Sequence, residues 1–117
     1  MAARPSDSIP AEDVPTGTSV RRQVLISADE GPNFAMRKFI IGVGGGTPLH
    51  TNAVEHEQYI LQGRARVVIG EEVTEVGKDD VVYSPAGVPH SYENVGEEPF
   101  EFLCLVPNLP DEMTFVG

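Results

Sequence analysis

The sequence predicts an all-β domain, a barrel or sandwich of short strands. Two observations carry this. From residue 20 onward, runs rich in Val, Ile, Phe and Tyr are broken by Gly, Pro or Asn at intervals of about eight to twelve residues. No stretch sustains an apolar repeat of about 3.6 residues, so almost no helix is expected. The 117 residues fit one domain and can bury a core without disulfide staples.

In chain order, residues 1–19 carry Pro5, Pro10 and Pro15 among Ser, Thr, Asp and Gly, and read as a flexible N-terminal arm. The domain is expected over 20–117. Its strands are expected at Val20–Ile26, Phe34–Val43, Pro48–Asn52, His56–Gln62, Arg64–Ile69, Glu72–Val76, Asp80–Ser84, His90–Asn94 and Pro99–Val106. Gly63 and the Gly70–Glu71 pair fall where tight turns are needed, and glycine tolerates the positive φ of such turns. Gly44-Gly45-Gly46 is expected to lie outside any strand interior. No helix pattern and no Gly-Lys-Ser/Thr follows these glycines, which excludes a phosphate-binding loop.

The net charge of −10 excludes nucleic acid and an anionic membrane surface as expected partners, because both require clustered Lys and Arg. No window approaches a membrane span of about 18 apolar residues. The N-terminal segment has no apolar signal region, and the single cysteine, Cys104, forms no intrachain disulfide. The expected location is cytoplasmic.

The chain's three histidines fall in two segments. The first runs Gly44-Gly-Gly-Thr-Pro-Leu-His50-Thr-Asn52-Ala-Val-Glu-His56 and on to Gly63; the second runs Pro85-Ala-Gly87-Val-Pro-His90-Ser-Tyr-Glu-Asn94. Residues i and i+2 of a strand share a face, so His50 and Asn52 can project together. His56 opens the next strand, and His90 follows a rigid Pro/Gly turn. Neutral imidazoles suit Mn, Fe, Zn, Ni or Cu, and three of them leave coordination positions open. A histidine in a β-protein is also commonly a surface or core residue, so spacing leaves a metal site and plain packing both open. Adjacent strand residues face opposite sides, so only one of His56 and Glu57 can serve; the six residues between His56 and Gly63 favour His56.

These segments resemble the two cupin motifs. Gly44, His50 and Gly63 match the first, with Asn52 at its second His and His56 at its Glu. Pro85, Gly87, His90 and Asn94 match the second, with its leading Gly77 set two residues further away. The resemblance is nearest to small bacterial monocupins that bind manganese through four histidines, which also carry a Glu-His-Glu context like Glu55-His56-Glu57. The segments Pro32–Phe39 and Phe100–Pro107 resemble that subgroup too. The resemblance implies a cupin jelly-roll β-barrel, usually a homodimer. It implies one divalent ion, Mn or Fe by preference, on His50, His56 and His90. Asn52 then coordinates through its carbonyl, bonds a metal-bound water, or leaves a vacant position; loss of the metal is the remaining alternative.

Alternation places Gln58 and Ile60 on the face of His56, Tyr92 on that of His90, and Phe102 with Cys104 opposite the charged Glu101. Resemblance adds Arg37 and Phe39 to the pocket. For Phe39, Ile60 and Phe102 plain core packing is an equal reading, and Cys104 reads as a buried thiol without a base to activate it. Tyr92 and Arg37 are the candidate catalytic residues. Because three-histidine cupins are known as dioxygenases, the resemblance implies an oxygenase that cleaves a C–C or C=C bond of a small molecule. A non-redox lyase or isomerase and a non-catalytic ligand-binding cupin are the alternatives.

Overall fold

The computed structural model describes residues 2–116. Its strands are β1 (Glu12–Asp13), β2 (Thr18–Ile26), β3 (Phe34–Gly46), β4 (His50–Asn52), β5 (His56–Gln62), β6 (Arg64–Ile69), β7 (Glu72–Gly77), β8 (Val81–Ser84), β9 (His90–Asn94), β10 (Phe100–Pro107) and β11 (Met113–Phe115). One 3-10 turn, Ser6–Ser8, precedes them, and the described residues contain no α-helix. No helix among them is long and apolar enough to cross a membrane.

All pairings are antiparallel and form two layers. One runs β1-β2-β3-β10-β5-β8 and the other β11-β4-β9-β6-β7. The long β3 joins them, since its last residue, Gly46, pairs with Glu93 of β9. This is the expected jelly-roll barrel. The period of two holds along the inner strands: on β5, His56, Gln58 and Ile60 are buried while Glu57 and Tyr59 are exposed. On β10, Phe100, Phe102 and Cys104 are buried, and Glu101 pairs outside with Lys38 at 2.9 Å. Between the layers Ile41, Ile60, Ala65, Val67 and Phe100 pack into one core whose members are almost fully excluded from water.

The glycine triplet corrects an expectation. It lies inside the end of β3, not outside a strand. A Cβ at Gly45 would sit 2.4 Å from the Thr18 carbonyl, and one at Gly46 2.4 Å from that of Tyr92. The strand crosses between layers here at backbone-to-backbone range, which only glycine permits. Two short strands, β1 and β11, carry no alternation that sequence could show. The N-terminal arm lies against the barrel: Glu12 and Asp13 pair with Arg22 and Arg21, the Gln23 amide donates to the Ser6 and Ile9 carbonyls, and Val14 packs on the core.

Candidate functional site

The three histidines line one cavity of about 270 Å³ between the layers. His50 and His90 are directly opposed on β4 and β9, with ring centroids 4.2 Å apart. His56 faces them from β5 in the other layer, 6.1 Å from His90. The turn before β9 is held by Gly87, whose φ is +75° and whose N–H donates to the Asn52 carbonyl at 2.8 Å. That bond ties the approach of His90 to the strand of His50. Asn94, at the end of the second motif, is a staple: its amide donates to the Ile41 and Glu98 carbonyls and its oxygen accepts from Gly96.

The ring nitrogens are not equivalent. His50 Nδ1 lies 2.7 Å from the Pro48 carbonyl, and His90 Nδ1 lies 3.0 Å from that of Val88. A carbonyl only accepts, so both Nδ1 atoms carry the proton and both Nε2 atoms present lone pairs. His56 Nδ1 faces instead the Cys104 thiol at 3.6 Å. Burial, then the Arg37 charge, then His90 push the His56 pKa down to about 4; burial lowers that of His90. Both rings are therefore neutral at pH 7, the form that coordinates metals.

Three buried side-chain nitrogen or oxygen atoms have no hydrogen-bond partner among the described residues: His56 Nε2, Asn52 Oδ1 and Arg37 Nε. All three belong to residues lining this cavity. Asn52 donates its amide to Asp111 Oδ2 at 3.1 Å, which leaves its oxygen as the stranded atom. Stranded buried polar atoms are costly and call for an occupant. No group of three His, Cys, Asp or Glu among the described residues is already arranged to hold an ion. The side chains present, an unpartnered amide oxygen and an unpartnered imidazole nitrogen beside two oriented imidazoles, fit a divalent metal.

Every sequence-selected pocket residue except Ile60 lines the cavity: Arg37, Phe39, Gln58, Tyr92, Phe102 and Cys104. Ile60 belongs to the core, fully buried below it. The Tyr92 hydroxyl donates to Gln58 Oε1 at 2.7 Å, and burial raises its pKa, so the phenol stays protonated. Gln58 and Arg37 both point donors at Cys104 Sγ, at 3.7 and 3.5 Å; burial raises the thiol's pKa. Phe39 stacks on Phe102, and Phe102 on Tyr92, at 5.3 and 5.4 Å.

Sequence reasoning missed Asp111, Arg22, Thr47 and Met113, which also line the cavity. Asp111 Oδ1 accepts from the Ala53 N–H at 2.8 Å and seats the segment leading to β11 over the mouth. It sits outside both motifs, in a run without alternation. An acid in a C-terminal segment carried no signal for it.

Comparisons with known proteins bear on the fold and the family. The structure of the polyketide cyclase RemF from Streptomyces resistomycificus superposes with a TM-score of 0.87 at 27% identity, covering 100% of this chain and 87% of that one. The 1-methylthio-D-xylulose 5-phosphate methylsulfurylase of Rhodospirillum rubrum is 35% identical over 100 residues, 80% of this chain and 64% of that relative's length. The uncharacterized protein MJ1618 of Methanocaldococcus jannaschii is 34% identical over 89 residues, 75% of this chain and 71% of that one. The family model described as "Cupin domain" matches residues 37–106, which span the strands of all three histidines. The chain belongs to the cupin domain family.

Proposed function

We propose that this chain is a metal-dependent enzyme acting on a carbonyl of a small molecule, with His50, His56 and His90 as ligands and Asn52 Oδ1 as a fourth. One observation carries the reading: the stranded His56 Nε2 and Asn52 Oδ1 line the same cavity as two imidazoles whose tautomers the backbone holds. A divalent ion bound there supplies Lewis acidity to a substrate oxygen. The chain's own groups supply the rest. Phe39, Phe102 and Tyr92, stacked on one another, give the cavity an apolar aromatic side that excludes water and orients the substrate. Asp111, the one carboxylate lining the cavity among the described residues, is the candidate base, and the Tyr92 phenol is the candidate proton donor.

A polyketide cyclase and a methylsulfurylase among the proteins similar to this chain support a small-molecule enzyme, and the choice of carbonyl chemistry over oxidative cleavage rests on the cavity's own acid and base groups. The test is elemental analysis of the purified protein, followed by reconstitution with Mn, Fe, Zn and Ni. Near one ion per chain is expected, with turnover of an enolisable carbonyl compound without oxygen uptake. Oxygen uptake with Fe or Mn would move the reaction to C–C or C=C cleavage. No ion under any condition would overturn the enzyme reading in favour of a ligand-binding cupin. The homodimer is part of the proposal, and a single-chain mass by sedimentation would remove it.

A further inference from the structure

Arg37 stands apart from the other cations of the fold. Among the described residues Arg4, Arg21, Arg22, Lys38 and Arg64 all have carboxylate partners, and Arg66 and Lys78, which form no such pair, are exposed to water. Arg37 is half-buried, lines the cavity, and has none. Its Nη2 has only the thiol of Cys104, and its Nε is buried without a partner. A guanidinium cannot shed its proton to escape this cost, as a lysine could. A desolvated cation without an anion is expensive to keep. The cavity's one carboxylate, Asp111, is engaged by Ala53 and Asn52, and its second guanidinium, Arg22, is paired with Glu12. Nothing in the described protein neutralises Arg37.

The surroundings say what shape of anion fits. The Arg37 guanidinium lies 5.1 Å from the centroid of the Phe39 ring, and Phe39, Phe102 and Tyr92 continue from it as one stacked row. The edges of such a row pack edge-to-face against a flat aromatic body, and a planar fork of N–H groups donates to a planar oxyanion. We propose that Arg37 anchors the substrate's oxyanion, and that the substrate is a flat, unsaturated acid: a carboxylate or enolate conjugated to a ring or double bond. This rests on the cavity being the substrate site proposed above, and not on the metal.

The probes are benzoate, its uncharged isostere benzamide, and the non-planar cyclohexanecarboxylate. Each is titrated into the metal-free full chain and followed by amide chemical shifts. Benzoate should bind roughly tenfold or more tightly than benzamide, as a charge-assisted hydrogen bond requires. It should also bind more tightly than cyclohexanecarboxylate. Arg37→Gln should abolish the preference for the charged probe, while the exposed Arg66→Gln should keep it. Arg37→Gln should also raise the melting temperature of the ligand-free protein, because it removes an unneutralised charge; a merely structural arginine would lower it. Equal binding of benzoate and benzamide, a preference that survives Arg37→Gln, or a lowered melting temperature would each overturn the proposal. Metal uptake is measured separately, by reconstituting part of the same metal-free preparation with Mn, Fe, Zn and Ni. Metal uptake without anion preference sinks this inference alone, and preference without uptake sinks the metal reading alone.

Discussion

Acidifying the metal-free protein should reveal His56 as a destabilising group that charges late. In the folded chain burial, Arg37 and His90 hold its pKa at about 4, against 6.5 for an ordinary histidine. Unfolded chains take up this proton near pH 6.5, while the folded chain refuses it until about pH 4. The contribution of His56 is therefore intact above pH 6.5 and is lost as pH falls toward 4. The gap, at about 1.4 kcal/mol per pH unit, comes to roughly 3 kcal/mol, most of it gone by pH 4.5. His56 is only 8% exposed, so solvent screening does not erase the effect. The assay is urea unfolding at a series of pH values for the wild type and His56→Gln. Carboxylates titrate in both proteins, so the difference between the two curves isolates the imidazole. That difference should move by roughly 3 kcal/mol in favour of the variant between pH 7 and pH 4. Parallel curves would refute the burial and charge argument.

Three further outcomes are expected. His50→Ala and His90→Ala should each strip the metal while the far-ultraviolet circular dichroism keeps its β signature, and Asn52→His should tighten metal binding; unchanged metal content, or no gain from Asn52→His, would remove these positions from the ligand set. Tyr92→Phe leaves the buried Gln58 Oε1 without its donor and should cost about 1–3 kcal/mol in urea unfolding; an unshifted midpoint would mean that the amide finds another partner. Gly63 has φ +85°, and a Cβ there would sit 2.7 Å from the Pro99 carbonyl and 2.9 Å from Phe100 Cα; Gly63→Ala should cost about 2 kcal/mol or more, read as a lowered melting temperature, and an unchanged one would show that the turn relaxes freely.

Local chemistry made much of this molecule legible. Alternation along His56–Gln62 and Phe100–Pro107 declared which side chains face inward, because a strand's period of two is a property of neighbouring residues. The two motif segments declared the histidines for the same reason: each spacing is counted within one short run. Asn94 and Gly87 were legible as motif positions, but their work as staple and turn needed Ile41 and Asn52 to be seen beside them. The glycine triplet misled because its reason is the Thr18 and Tyr92 carbonyls, which lie far away in the chain and close in space.

By itself, then, the sequence determined the all-β class, the inward faces and the three histidines, since these rest on short-range periodicity and spacing. The tertiary structure decided what depends on long-range pairing. It brought Asp111 over the cavity by pairing β11 with β4, and it oriented two imidazoles on backbone carbonyls while leaving the third against a thiol. It also left Arg37 without a counter-charge, because an ion pair is a matter of distance in space, and no distance along the chain predicts one.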